Sequence, residues 1–136
     1  MERPLLVPRD AGAAGAMPPL HVRDVDERLI VVEGQLTVFV GSELVTARKG
    51  DTVDVPAGRP RTFRVDTDGA RWLVLTTVRS VARFEDFGRA LAVPVGNSWT
   101  AEDEAATAAI GEPNGIEILG PPGTLPSDLH AARAAA

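Results

Sequence analysis

The chain has 136 residues and a formal net charge of −5, from 14 Lys and Arg against 19 Asp and Glu. A chain of this length fits one compact domain and buries a working hydrophobic core. The acidic balance and the scattered arginines argue against nucleic-acid binding, which needs a basic stripe. The sequence contains no cysteine, which excludes disulfides and thiolate chemistry.

Targeting signals are not visible in the sequence. No stretch is apolar over the roughly 18 residues that a membrane-spanning helix requires. A basic, apolar leader with a cleavage site is not visible either. We therefore expect no membrane association, and the expected location is the cytoplasm.

The chain up to residue 80 predicts many short strands. A first edge strand is expected at residues 5–7, followed by a loop rich in Ala, Gly and Pro. Many short strands with glycine-rich turns predict an all-β sandwich or barrel. Further strands are predicted, with turn residues between them, at about 27 to 33, 36 to 40, 43 to 47, 52 to 55, 61 to 66 and 71 to 78.

The spacing of apolar residues changes after residue 80. Phe84, Phe87 and Leu91 have helical spacing, so a helix is predicted over 81–91. We expect this helix to cover an open edge or end of the barrel.

A second helix is predicted over 101–110. Thr100 and Asp103 have the spacing of a capping box, and Gly111 is the expected stop. A short terminal strand is predicted at 116–119. Beyond it, the high Pro, Gly and Ala content predicts a frayed tail.

Residues 15–34 begin and end with glycine and contain His21, Arg23 and Glu27. Successive side chains of a strand point to opposite faces, so these three are expected on one side. The stretch resembles the first motif of the cupin family, which is a Gly followed by His-x-His, a Glu and a closing Gly. Every gap matches, and Arg23 stands at the second histidine position.

Residues 50–65 resemble the second cupin motif, in which a Gly and a Pro-x-Gly turn precede the last ligand histidine. Here Pro56-Ala-Gly58 forms the turn, and Arg61 stands at the histidine position. The resemblance implies an all-β fold, the cupin double-stranded β-helix or jelly-roll barrel, with C-terminal α-helices. It divides the chain into a cupin barrel over 1–80, a helical extension over 81–120 and a flexible tail over 121–136.

The resemblance also places the family's four metal-ligand positions at His21, Arg23, Glu27 and Arg61. A guanidinium stays protonated and offers only hydrogen-bond donors, so it does not ligate a metal. Catalytic zinc and non-haem iron sites generally use three protein ligands. We therefore expect no cofactor, with a divalent metal weakly bound by His21 and Glu27 as the alternative.

The arginines suggest what replaces the ion. Arg23, Arg61 and Glu27 together carry about one positive charge, as a divalent cation with one glutamate does. We hypothesise that this one uncompensated positive charge binds an anionic or enolate-like group of a small ligand in the barrel mouth. His21 is the candidate general base or acid, because its ordinary pKa lies near neutrality, and Glu27 orients the other groups.

Two aromatic residues on predicted strands are further candidates. Phe63 and Trp72 are interpreted as core residues, and as ligand-binding residues if either lines the cavity and stacks on a flat substrate.

The order of barrel, helix and the segment 114–122 is similar to bacterial mono-cupins grouped with quercetin 2,3-dioxygenases. In that group the metal binds substrate oxygens and enables dioxygen chemistry. The shared shape implies a cavity suited to flat, oxygenated or phenolic molecules.

Three functions remain open. The first is metal-free binding of a small anionic or phenolic metabolite, with or without a non-redox reaction such as isomerisation, cyclisation or dehydration. The second is a metal-dependent, quercetinase-like dioxygenase. The third is a non-catalytic structural protein, a homodimer through an edge strand or the N-terminal segment, in which Arg23 and Arg61 pair with Glu27, Asp24 or Asp54 and fill the barrel. The geometry of the pocket distinguishes the first function from the third. Guanidinium donors that are left free and face a cavity would favour the first, whereas two arginines paired with Glu27 in a filled barrel would favour the third.

Overall fold

The computed structural model of this chain describes residues 3–10, 13–78 and 100–129. Its strands are β1 (Arg3–Asp10), β2 (Pro19–Arg23), β3 (Glu27–Glu33), β4 (Gln35–Val40), β5 (Glu43–Arg48), β6 (Thr52–Val55), β7 (Arg61–Val65), β8 (Arg71–Val78) and β9 (Ile116–Pro122). Helix α1 (Ala101–Gly111) and a 3-10 helix (Glu112–Asn114) precede β9.

The strands form two antiparallel sheets with a shared core. One sheet has the order β1-β8-β3-β6, and the other has the order β5-β4-β7-β2-β9. The main core cluster draws on both sheets and consists of Leu29, Val31, Leu36, Val38, Val40, Ala47, Val53, Val55, Val65, Ala70, Trp72 and Val74. This arrangement confirms the predicted all-β jelly-roll fold, and every predicted strand is present.

Alternation along the strands decides which side chains enter the barrel. On β8, Trp72, Val74 and Thr76 are buried, while the residues between them are exposed or half-buried. The same alternation on β3 buries Leu29 and turns Arg28 outward. Glu27 shares the side of Leu29, so its side chain belongs to the inner face.

The closing glycine of the first motif has a steric reason. Gly34 lies in the turn between β3 and β4 with a φ of 80°, which side chains rarely tolerate. A Cβ atom at this position would overlap the hydroxyl of Thr67, which accepts a hydrogen bond from the Gln35 N–H at 3.0 Å. Glycine is therefore required both for the turn and for the close approach.

Helix α1 begins where the sequence predicts. The Thr100 hydroxyl accepts a hydrogen bond from the Asp103 N–H, and the Asp103 carboxylate accepts one from the Thr100 N–H, which completes the predicted capping box. The α-helix ends at Gly111, the predicted stop, but Gly111 keeps right-handed helical dihedrals and a 3-10 turn follows it. Gly115, with a φ of 67°, ends the helical segment.

The terminal strand predicted at 116–119 is present as β9, and it pairs with β2. The pairing adds these residues to a barrel sheet. Residues 121–129 of the expected tail are described, and Pro126 is buried. The helix predicted at 81–91 and His130 lie outside the described residues. In the part of the chain that is described, no helix is long and apolar enough to cross a membrane.

Candidate functional site

The carboxylate of Glu27 lies between two arginine side chains inside the barrel. Its Oε2 accepts a hydrogen bond from Nη1 of Arg23 at 3.0 Å, and its Oε1 accepts one from Nη1 of Arg61 at 2.8 Å. Arg23 is 2% exposed and Arg61 is 4% exposed. The three side chains, which we call the triad, occupy three of the four positions that the cupin resemblance assigns to metal ligands.

Arg23 connects three parts of the fold. Its Nη1 also donates to the Thr76 hydroxyl at 2.5 Å, and its Nη2 donates to the main-chain carbonyls of Thr77 at 3.0 Å and Asn114 at 3.5 Å. Strand β2 is thereby linked to β8 and to the 3-10 helix that precedes β9. Such contacts to charged donors are among the stronger hydrogen bonds in proteins.

Arg61 is held by the turn that precedes it. Its Nη2 donates to the Pro56 carbonyl at 2.6 Å, and its Nε donates to the Arg59 carbonyl at 3.1 Å. Burial lowers the pKa of Arg61, while the charge and the hydrogen bond of Glu27 act in the opposite direction. A guanidinium has so high an ordinary pKa that it keeps its charge at neutral pH.

His21 lies beside the triad and is also buried, with 6% of its surface exposed. It pairs with Arg61 in the register of β2 and β7. Its Nδ1 lies 2.8 Å from the Pro19 carbonyl, which only accepts hydrogen bonds, so Nδ1 carries a proton. Burial lowers the pKa of His21, and the nearby guanidiniums lower it further, against the Pro19 carbonyl and Glu27. The imidazole is therefore neutral at neutral pH, with Nε2 as its basic nitrogen.

An open cavity of about 600 Å³ adjoins the triad. Glu27 belongs both to the triad and to the lining of the cavity, and its side chain is 11% exposed. The described lining does not include His21, Arg23 or Arg61. It consists of Pro4, Asp26, Glu27, Arg28, Asp54, Val55, Pro56, Leu75, Thr76 and Thr77.

The two candidate aromatic residues contact each other. The rings of Phe63 and Trp72 meet edge to face, with centroids 5.2 Å apart and an angle of 72°. Trp72 belongs to the main core cluster, and Phe63 packs against that cluster. Neither is among the described residues that line the cavity. A direct contact of either ring with a ligand stays a prediction.

The residues at the site do not fit a metal ion. Both carboxylate oxygens of Glu27 already accept hydrogen bonds from guanidiniums, and of the other three positions only His21 carries a group that ligates a metal. Over the described residues, no group of three or more His, Cys, Asp or Glu side chains is placed to hold one. Two buried cations next to the remaining ligands also oppose the approach of a third cation.

Some residues of the site escape sequence reasoning. Thr76 is predicted to face inward by the alternation of β8, but nothing in the sequence pairs it with Arg23, 53 positions away. Asp26 lines the cavity and accepts a hydrogen bond from the Ala57 N–H at 2.8 Å. Asp54, considered as a partner for the arginines of the triad, pairs with the exposed Arg28 at 2.6 Å instead.

The cupin domain family model matches residues 12–76, a range that contains both motifs and the whole triad. The chain contains a cupin domain. Quercetin 2,3-dioxygenase of Bacillus subtilis (strain 168) is 32% identical over 73 residues, which are 53% of this chain and 22% of that protein. This cupin therefore spans about a fifth of that relative's length.

Two solved structures are similar to about half of the chain. The protein TT1209 of Thermus thermophilus is 28% identical with a TM-score of 0.49, over 54% of this cupin and 71% of that chain. The polyketide cyclase RemF of Streptomyces resistomycificus is 19% identical with a TM-score of 0.49, over 55% of this cupin and 54% of that chain.

Proposed function

We propose that this cupin binds a small molecule in the open cavity beside the triad, and that it does so without a tightly bound metal ion. The position of Glu27 carries the proposal. Its carboxylate is held by Arg23 and Arg61, and the same side chain lines the cavity. A volume of about 600 Å³ falls within the range typical of small-molecule sites.

The arginines support a different role from the anion clamp expected from the sequence. Their guanidiniums donate to Glu27, to the Thr76 hydroxyl and to main-chain carbonyls. A ligand that enters the cavity meets the Glu27 carboxylate, which is a hydrogen-bond acceptor. A phenolic or other hydroxyl-bearing ligand therefore receives more support than an anionic one.

Binding is better supported than catalysis. Of the two candidate catalytic residues, Glu27 lines the cavity, whereas His21 is not in its described lining. A non-redox reaction in which His21 moves a proton remains a hypothesis. The quercetinase-like alternative requires a metal, and the residues at the triad do not fit one.

A non-catalytic structural role is the second candidate, because Arg23 and Arg61 pair with Glu27 inside the protein as this hypothesis expects. The homodimer expected with it remains part of this proposal. Strand β1 lies at an edge of its sheet, but Pro4 and Pro8 lack the N–H donors that strand addition uses. This edge is therefore less suited to pairing with a strand of a second copy.

The first experiment combines elemental analysis with a ligand screen. The purified protein is analysed before and after anaerobic incubation with iron, nickel, zinc and manganese. The metal-free protein is then screened against small organic molecules by thermal shift and calorimetry. We expect no retained metal and at least one ligand that binds.

Two variants locate the binding. Leu75→Trp places a large ring at the cavity, where Leu75 is 41% exposed, and should abolish binding. Leu44→Trp makes the same change at a position that is 60% exposed and outside the described lining, and should leave binding intact. Near-stoichiometric metal would overturn the metal-free proposal, and equal binding by both variants would exclude this cavity.

A further inference from the structure

The charged side chains that line the cavity are mainly hydrogen-bond acceptors. Three carboxylates line it, from Asp26, Glu27 and Asp54, and Arg28 is the one basic side chain in its described lining. Arg28 already pairs with Asp54, through bonds of 2.6 Å and 3.4 Å to the two carboxylate oxygens. A ligand in this cavity therefore meets oxygen atoms that need donors.

Glu27 is the acceptor whose position is best defined. An ionised carboxylate has about four acceptor sites, two on each oxygen. Arg61 takes one site on Oε1 and Arg23 takes one on Oε2. Each oxygen therefore keeps acceptor capacity, and the two bonds hold the carboxylate in a single orientation. Two adjacent acceptors in a fixed orientation match two hydroxyl groups on neighbouring carbon atoms.

The local charge favours a neutral ligand. The carboxylates of Asp26, Glu27 and Asp54 are balanced by the guanidiniums of Arg23, Arg28 and Arg61. An anion would meet three carboxylates, whereas Arg23 and Arg61 are not in the described lining. An added charge of either sign would remain uncompensated in a partly desolvated site.

The remaining lining suits the carbon skeleton of such a ligand. Val55, Leu75, Pro4 and Pro56 offer apolar surface beside the carboxylates. The described lining contains no aromatic side chain. Apolar contact on one side and acceptors on another are the usual features of a site that orients a small polar molecule.

We propose that the ligand is a neutral molecule with vicinal hydroxyl groups, which donate to the two oxygens of Glu27. This proposal rests on the proposed function of the cavity. The same pair of donors is offered by a saturated cyclic polyol and by an aromatic catechol. The experiment separates these two sources.

The test measures binding to the metal-free full-length protein by calorimetry. The probes are myo-inositol, catechol, 1,2-dimethoxybenzene and benzoate. We expect catechol or myo-inositol to bind at least about tenfold more tightly than both comparison compounds, because the dimethoxy compound has lost the donors and benzoate carries a negative charge. Binding of myo-inositol would indicate a saturated cyclic polyol as the ligand, and binding of catechol would indicate an aromatic one.

Variants assign the contact to Glu27. Glu27→Gln leaves one acceptor oxygen and should weaken diol binding by about tenfold or more. Since this change removes the partner of two buried cations, Asp54→Asn serves as a second variant. Asp54 is exposed, so its variant should fold, and it should bind the diol with little change if Glu27 is the main acceptor.

The outcomes separate the two proposals. Tighter binding of benzoate than of either diol would overturn the vicinal-diol inference and leave binding in the cavity intact. Diol binding that the Glu27→Gln variant retains, when folded by circular dichroism, would also overturn the inference. If none of the probes binds and a broad screen finds no ligand, the proposed function itself fails.

Discussion

Oε1 of Glu27 lies 2.8 Å from Nη1 of Arg61, a residue 34 positions further along the chain. Strand β3 supplies the carboxylate and β7 supplies the guanidinium, and these strands belong to different sheets. The contact therefore ties the two sheets together inside the barrel. Because Arg23 bonds the other oxygen, one carboxylate is the shared partner of two buried cations.

Replacing Glu27 by glutamine should strongly destabilise the protein. The change leaves two buried guanidiniums without their counter-charge, and removing one partner of a buried ion pair typically costs about 3–5 kcal/mol. The free energy of unfolding, measured with urea, should fall by about this amount. Asp54→Asn, which breaks the exposed pair with Arg28, is the control and should change it little. Equal unfolding of the wild type and Glu27→Gln would mean that the triad is solvated.

The stability of the protein should decrease as the pH falls below about 6.5. Burial lowers the pKa of His21 from its ordinary value of 6.5, so the unfolded chain takes up a proton before the folded chain does. The contribution of the neutral His21 to the free energy of unfolding is complete above pH 6.5, and it is lost as the pH falls toward the lowered pKa. Urea unfolding at pH 7.5 and pH 5.5, taken as values about one unit either side of 6.5, measures the effect.

Variants of the two histidines test whether His21 causes this pH dependence. The chain contains two histidines, so His21→Asn should flatten the loss of unfolding free energy between the two pH values, whereas His130→Asn should not. A loss of the same size in His21→Asn and in the wild type would show that other groups cause it.

Replacing Gly34 by alanine should destabilise the protein more than replacing Gly50. Both glycines have positive φ values, 80° and 89°, and alanine in such a conformation costs about 1–2 kcal/mol. Only at Gly34 would the new Cβ also overlap Thr67 and approach Ala70, whereas nothing lies within 4 Å at Gly50. Thermal unfolding of the two variants measures the difference. A smaller effect at Gly34 would contradict the close approach of the turn.

The double variant Arg23→His, Arg61→His should take up a divalent metal. Both positions face the inside of the barrel beside Glu27 and His21, so the variant would present three histidines and one carboxylate. This set suits zinc, nickel or iron. Elemental analysis after incubation should show near-stoichiometric uptake.

The control carries the same change on the outside of the barrel. Arg28 and Arg64 are exposed, so Arg28→His, Arg64→His should remain metal-free. A folded Arg23, Arg61 variant that takes up none of these metals would show that the four positions do not converge.

The sequence predicts the strands of this protein well, because their signals are local. Alternating apolar residues and glycine turns predict β3 and β8 to the residue, and the capping box predicts the start of α1. The α-helix ends at the predicted Gly111, but a 3-10 turn continues after it, because a glycine is also compatible with a continuing turn. The helical segment ends at Gly115, where the Asp24 carboxylate leaves no space for a side chain.

For the site, the spacing of the two motifs is enough to place Arg23, Glu27 and Arg61 at the metal-ligand positions of the family. Because two of these residues are arginines, it also argues against a tightly bound metal ion. Which donor meets which acceptor depends on strands that are distant in sequence. Arg23 bonds Thr76 across 53 positions, and the charge pattern alone does not separate Asp54 from Glu27 as a partner. Only the pairing of the two sheets decides that both arginines donate to Glu27 and that Glu27 also lines the cavity. The reason is that strand register and burial set the geometry of these hydrogen bonds.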